Sequence, residues 1–234
     1  AIQPKILNYY GKDVFDYAGG AGGHLDLFCY PFARGRIFFD QEKDIGQYDK
    51  AQKCFWASGT ALMVRKELFC KAGKFDETFF AHMEEIDLCW KFKSMGYDIW
   101  SEPGSIVYHK NAVSMPMFSH KKYYLNHRNS LLMLFGNYSF PSAFYIGIIR
   151  LMLEFVTLVY TIFKLDINHF TGVLRSLIWI LFHPITIWRK RLIFKKIRVL
   201  NDIDIMKSML KKSIVFAYYI ARKKTYFEIE SKAS

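Results

Sequence analysis

Residues 79–90 read FFAHMEEIDLCW, and three carboxylates, Glu84, Glu85 and Asp87, stand in this otherwise apolar and aromatic run. An acid is rarely buried without a partner, because removing a charge from water costs far more than packing returns. A helix opening near Glu84 gives part of the reason. From 84 to 95 the residues have helical spacing, and Gly96 stands where a helix ends. Acidic side chains in a first turn complement the helix dipole, each by about 0.3–1 kcal/mol. Helical geometry then separates the three acids. Asp87 and Lys91 are spaced i,i+4 and share a stripe with Glu84, which predicts a solvated face. Glu85 shares its stripe with Leu88, Cys89 and Phe92 and is expected to point inward at the edge of the core. A carboxylate half-buried at a helix N-terminus is a candidate general base: partial desolvation raises its pKa, while the dipole keeps it ionised.

Upstream, CFWASGTALMVR at 54–65 reads as a strand, a Ser58-Gly59 turn and a second strand, followed by a helix over 66–72 stopped by Gly73. Downstream, YDIW and SIVYH read as two short strands broken by Pro103-Gly104. The opening AIQPKILNYY lacks the order of a signal peptide and holds a strand at Ile6 and Leu7. Short strands alternating with helices predict an α/β domain with a mixed sheet. The glycine-rich loop DYAGGAGG at 16–23 matches neither GxGxxG nor a P-loop, so a tight-turning role is expected rather than a phosphate cradle.

Four cysteines, Cys29, Cys54, Cys70 and Cys89, lie far apart with no CxxC pair, which predicts reduced thiols rather than a disulfide framework or zinc cluster. The net charge of +12 is unevenly placed: residues 1–110 balance at −1 and residues 111–234 at +13. The basic half also carries the longest apolar runs. Residues 140–163 are long enough to span a membrane but are interrupted by Arg150 and Glu154, four apart; a second run, 173–188, carries Arg175 and His183 and breaks at Pro184. WRKRLIFKKIRVL then alternates basic and apolar residues. Charges at a bilayer centre are costly, so amphipathic helices lying at a membrane surface are expected, a soluble helical bundle being the alternative. No nucleic-acid recognition motif accompanies the positive charge, and nucleic acid is not an expected partner.

The run WASGTALMVRKELFCKAGKFDETFFAHMEEIDLCWKFKSMGYDIW, with SIVYH after it and HRN at 127–129, resembles the acceptor half of family 2 glycosyltransferases, nearest to their bacterial rhamnosyltransferase-like branch. The resemblance covers roughly residues 1–135. Residues 136–234, from their own charge and apolar runs, are expected to form a basic, apolar, membrane-associating helical region, and the resemblance implies part of a GT-A fold before it. It further implies an inverting transfer from a nucleotide-sugar donor to a saccharide or lipid-linked acceptor, in cell-surface polysaccharide synthesis at the cytoplasmic face of the bacterial inner membrane. The second acid of the pair, usually Asp, is the family's base. That position is Glu85 here, with Glu84 and Asp87 as the neighbouring candidates. His109 matches the family's ligand to a divalent metal, Mg or Mn; a structural strand-end histidine is the alternative. Trp56 with the backbone at Ser58 and Gly59 is the candidate acceptor platform, or else a core tryptophan, and Arg128 is a candidate for the donor diphosphate, or else a solvated arginine at a helix start. The family's donor site and Asp-x-Asp motif precede the equivalent of AIQPKIL. The chain therefore reads as the C-terminal portion of such an enzyme, expected to be inactive alone. The rival reading is a non-catalytic, membrane-associated scaffold.

Overall fold

The chain opens on strand β1 (Ile2–Asn8) and then forms a small antiparallel meander of β2 (Gly23–Leu25), β3 (Pro31–Ala33), β4 (Arg36–Ile37) and β5 (Asp40–Gln41). β6 (Gln52–Cys54), α1 (Lys66–Lys71), a 3-10 turn at Glu77–Phe79, α2 (Glu84–Ser94) and β7 (Ile99–His109) complete the α/β part. Seven helices follow among the described residues: α3 (His120–Asn137), α4 (Phe140–Phe163), α5 (Ile167–Phe182), α6 (Pro184–Ile197), and the short α7 (Asp202–Met206), α8 (Ile214–Tyr219) and α9 (Tyr226–Glu230). This computed structural model describes residues 1–110 and 116–231.

The larger sheet runs β1-β7-β6, with β1 parallel and β6 antiparallel to β7, so it is mixed as expected. The expectation of two short strands around Pro103-Gly104 gives way to one. β7 is continuous, and its partner register slips between Pro4 and Lys5, so that Pro4 faces Glu102 while Lys5 faces Ile106. A bulge absorbs the residues that cannot pair, proline lacking the N–H a ladder needs. The predicted second strand near 60–65 reduces to a single bridge between Met63 and Ile2. The glycine-rich loop turns tightly along β1. Gly20 sits at φ +48, and a Cβ there would lie 2.3 Å from the Arg34 carbonyl oxygen, so only glycine fits.

α2 is buried almost all round from Ile86 to Ser94. Trp90 meets Phe55 and Tyr138 edge-on, with ring centres 5.6 and 4.8 Å away. The same core takes in Leu132 and Met133 of α3, Phe194 of α6 and Met209, so it continues across residue 135 into the helical part. α3 is covered by α4, α5 and α6. At Gly136 a Cβ would stand 2.5 Å from Cδ of Lys190; the missing side chain lets the lysine stem pass close to α3. A second cluster, with Phe15, Phe32 and Tyr48, is closed by Ile214 and Tyr226 from the C-terminal helices. Cys29, Cys54 and Cys89 are buried and Cys70 is exposed, all as free thiols.

Candidate active site

The acidic stretch begins in a strained loop. Phe80, His82 and Met83 all have positive φ, at 62°, 66° and 73°, and Met83 ends the loop as the N-cap of α2 without a side-chain cap. Left-handed backbone costs a non-glycine residue roughly 1–2 kcal/mol. The loop persists because α3 clamps it. Asn129, fully buried, donates Nδ2 to the carbonyls of Phe79, Ala81 and His82 at 3.0, 2.7 and 2.7 Å. Arg128 donates Nη2 to the carbonyls of Thr78 and Phe79 at 2.8 and 2.9 Å, and its Nε to Asn129 Oδ1 at 2.8 Å. Its guanidinium also lies over the rings of Trp179 and Tyr124. This corrects the sequence expectation for Arg128: it is buried, and it holds the acidic loop instead of facing a diphosphate.

The clamped loop delivers Glu84 to the wall of an open cleft of about 540 Å³ lined by Gly59, Phe75, Asp76, Glu77, Phe80 and Glu84, with Glu85 next in the chain. Both glutamates are half-buried, and Oε2 of each is shielded from water without a hydrogen-bond partner. Gly59 lies against Glu85: a Cβ on the glycine would be 3.7 Å from Glu85 Cβ. Burial pushes the Glu85 carboxyl up to about 8, the nearby charge of Glu84 adds to the rise, and the amides of Glu85 and Ile86 offset only part of it. Glu84 is likewise raised by burial. The inward stripe of Glu85 is as expected, since Leu88, Cys89 and Phe92 are fully buried. Against the expectation that the dipole keeps Glu85 ionised, burial and the neighbouring Glu84 outweigh the helix N-terminus and favour the protonated acid.

Asp87 is not on a solvated face. It is fully buried, with Lys91 Nζ at 3.0 Å, Lys190 Nζ at 2.8 Å and Asn137 Nδ2 at 2.8 Å. Burial raises its pKa, but Lys190 and Lys91 more than reverse this and hold it below the usual carboxylate range. The i,i+4 pair with Lys91 was visible in the sequence; Lys190, from α6, was not. Lys190 also meets Asp76 Oδ2 at 2.9 Å, tying α6 to the cleft wall.

Trp56 is a core residue. Its Nε1 donates to the His24 carbonyl at 2.8 Å, and Gly23 packs on its ring so closely that a Cβ would be 2.1 Å from the indole. With both polar atom and face occupied, it offers no platform for a sugar. The aromatic side chains that do line the cleft are Phe75 and Phe80, both exposed, with Lys121 Nζ 4.5 Å from the Phe80 ring centre. Ser58 is buried, its N–H donating to Gln3 Oε1 at 2.8 Å, whereas Gly59 is exposed.

His109 ends β7 opposite Asn8, as its sequence position predicts. Its Nδ1 lies 2.9 Å from Oδ1 of the fully buried Asp16, whose Oδ2 has no hydrogen-bond partner. Asp16 was missed because it is 93 residues away in the chain and reads as the start of a glycine loop. That loop links the two places: Gly19 and Gly20 accept from Gln3, and Gln3 in turn holds Ser58 beside Gly59. An imidazole and a carboxylate suit a hard divalent cation. Among the described residues no group of three or more His, Cys, Asp or Glu side chains converges on a metal position, so His109 and Asp16 do not make a complete site.

Over a stretch of 56 residues the chain is 34% identical to the N-acetylglucosaminyl-diphospho-decaprenol L-rhamnosyltransferase of Mycobacterium tuberculosis, in the strains CDC 1551 / Oshkosh and ATCC 25618 / H37Rv alike. The match takes in 24% of this chain and spans 18% of the length of these relatives. No family model and no solved structure matches. Over this short stretch, then, the chain is similar to a glycosyltransferase.

Proposed function

We propose that this chain carries the acceptor side of an inverting glycosyltransferase of GT-A type, with Glu85 as its general base. The observation that carries the reading is a pair of glutamates, each with one shielded, unpartnered oxygen, that follows a clamped, strained loop, Glu84 lining a cleft and Glu85 packed against its Gly59. Strain of this kind concentrates where geometry has to be fixed for chemistry. A base with a pKa of about 8 lies near an ordinary working pH, which suits proton transfer. In the proposed step the ionised Glu85 takes the proton from an acceptor hydroxyl. The oxygen forms a bond to the anomeric carbon, and the bond to the nucleoside diphosphate breaks with its electron pair leaving on the diphosphate. A general base contributes about 10²–10⁴-fold of the rate.

The acceptor class we infer is a saccharide, carried on a lipid diphosphate as in the name of the mycobacterial relatives, at the cytoplasmic face of the bacterial inner membrane. Phe75 and Phe80 are the faces on which it would stack. A divalent cation, Mg or Mn, belongs to the proposal with His109 as its protein ligand and Asp16 beside it; it would neutralise the diphosphate. No step is derived through it, because these two donors do not complete a site.

The test is Glu85→Gln and Glu84→Gln in the full-length protein, assayed with nucleotide-activated sugars, an L-rhamnosyl donor among them, and a prenyl-diphosphate-linked N-acetylglucosamine acceptor. Glu85→Gln is expected to lower turnover at least 100-fold while donor binding is kept. Near-wild-type turnover in Glu85→Gln, with loss in Glu84→Gln, would transfer the role to Glu84.

A further inference from the structure

We propose that the outward faces of α4, α5 and α6 form a docking surface for an anionic lipid bilayer, with α4 lying flat in the interface. By length and composition α4 passes for a membrane span, with 24 residues and a mean hydropathy of 1.9. Its placement argues against spanning. Ala143, Gly147, Arg150, Glu154 and Thr161 form one buried stripe along almost the whole helix, so α4 lies against the domain over its length and does not project from it.

The stripe is inverted relative to a soluble surface helix, since its charges face the protein. Arg150 Nε and Nη2 bond Glu154 Oε1 at 2.9 and 2.6 Å, and Nη1 bonds the Phe28 carbonyl and Ser130 Oγ at 2.6 and 3.0 Å. Glu154 Oε2 meets His127 Nδ1 at 2.7 Å. Every one of these bonds would break if the helix left the domain to cross a bilayer, and both charges would then stand near the bilayer centre. On the opposite side, Tyr145, Ile149, Met152, Val156, Val159 and Phe163 are all exposed.

α5 packs against α4, and α5 and α6 carry exposed apolar residues of their own. They meet at a 73° bend where Leu181, Phe182 and Ile185 are exposed. In α6, Lys190 and Phe194 point inward. At 3.6 residues per turn the exposed Ile185, Trp188 and Leu192 lie opposite them, flanked by exposed Arg189, Lys195 and Lys196. Monomers in water rarely expose large contiguous apolar patches, so a face with this many exposed apolar side chains calls for a cover. The bordering cations identify the occupant as a surface that is apolar within and anionic at its edge, which is a bilayer of acidic lipid. The inference stands on the helices alone and does not depend on the transfer reaction.

The experiment is flotation of the whole chain with vesicles of phosphatidylcholine alone and of phosphatidylcholine with phosphatidylglycerol, followed by alkaline carbonate extraction. Binding is expected to favour the anionic vesicles, to weaken in high salt, and to be released by carbonate. Arg189→Ala, Lys195→Ala and Lys196→Ala together are expected to lower partitioning on the order of 100-fold, about fivefold per charge. Met152→Glu with Val156→Glu, at exposed positions that leave the fold intact by circular dichroism, is expected to abolish it. Recovery unbound from both vesicle types overturns the proposal, and sedimentation of that unbound chain as a dimer would assign the face to a second copy. Resistance to carbonate overturns the flat arrangement in favour of a spanning helix.

Discussion

Replacing Glu85 by glutamine removes a carboxyl that the fold holds at about 8 against an ordinary 4.5. Between these values the folded chain keeps a proton that the unfolded chain has released. Folding stability therefore falls as pH rises, by at most about 1.4 kcal/mol per pH unit from this group. The full displacement corresponds to about 4–5 kcal/mol; with Glu85 only half-buried, about 2–4 kcal/mol is expected. Glutamine has the same shape and no such titration. Urea unfolding of wild type and Glu85→Gln at pH 4, 6, 7, 8 and 9 gives a difference curve in which groups that do not interact with Glu85 cancel, leaving Glu85 and its neighbour Glu84. The two proteins are expected to agree within about 0.5 kcal/mol at pH 4, where both states of Glu85 are protonated. The variant should become the more stable by about 2–4 kcal/mol at pH 9. A flat difference curve, or a wild type that gains on the variant as pH rises, would refute the reasoning that burial and Glu84 dominate over the helix N-terminus at this site.

Asn129→Leu keeps the volume but leaves the Ala81 and His82 carbonyls without this donor and Arg128 Nε without its acceptor, while Phe79 keeps Arg128; a loss of about 3 kcal/mol in urea is expected, with faster amide exchange over residues 79–84; a loss below about 0.5 kcal/mol would show that the clamp is idle. Lys190→Met strands Asp87 with a single cation and is expected to cost about 3 kcal/mol, partly rescued when Asp87→Asn is added; additive losses in a double-mutant cycle would contradict a shared pair. Glu154, held at about 2 by His127 and Arg150 against the rise burial alone would cause, contributes about 3 kcal/mol that is fully present above pH 4.5 and lost as pH falls towards 2; Glu154→Gln should be nearly free of that acid loss. Trp56→Ala is expected to cost about 3–5 kcal/mol of stability, whereas Phe80→Ala should leave folding within about 1 kcal/mol and weaken acceptor binding.

The sequence by itself set the local elements. Gly73 and Gly96 marked the ends of α1 and α2, Pro184 marked a break that proves to lie between α5 and α6, and the alternation of short strands and helices gave the mixed sheet. It also placed Glu85 among inward-facing neighbours, because the distances from i to i+3, i+4 and i+7 are fixed by the helix itself. What covers each face of an element lies elsewhere in the chain, and there the sequence was silent. Asp87 is core and not surface because Lys190, 103 positions later, reaches it across Gly136. Trp56 is closed off by Gly23, and Arg128 is spent on a loop about 50 residues upstream. His109 finds Asp16 only because β1 and β7 run parallel. The Arg150–Glu154 pair was legible as spacing, but its direction was not: whether an i,i+4 ion pair faces water or protein depends on which partners the chain brings to it. Here His127, Ser130 and the Phe28 carbonyl satisfy the pair on the inside, and the apolar side of α4 is left to face outward.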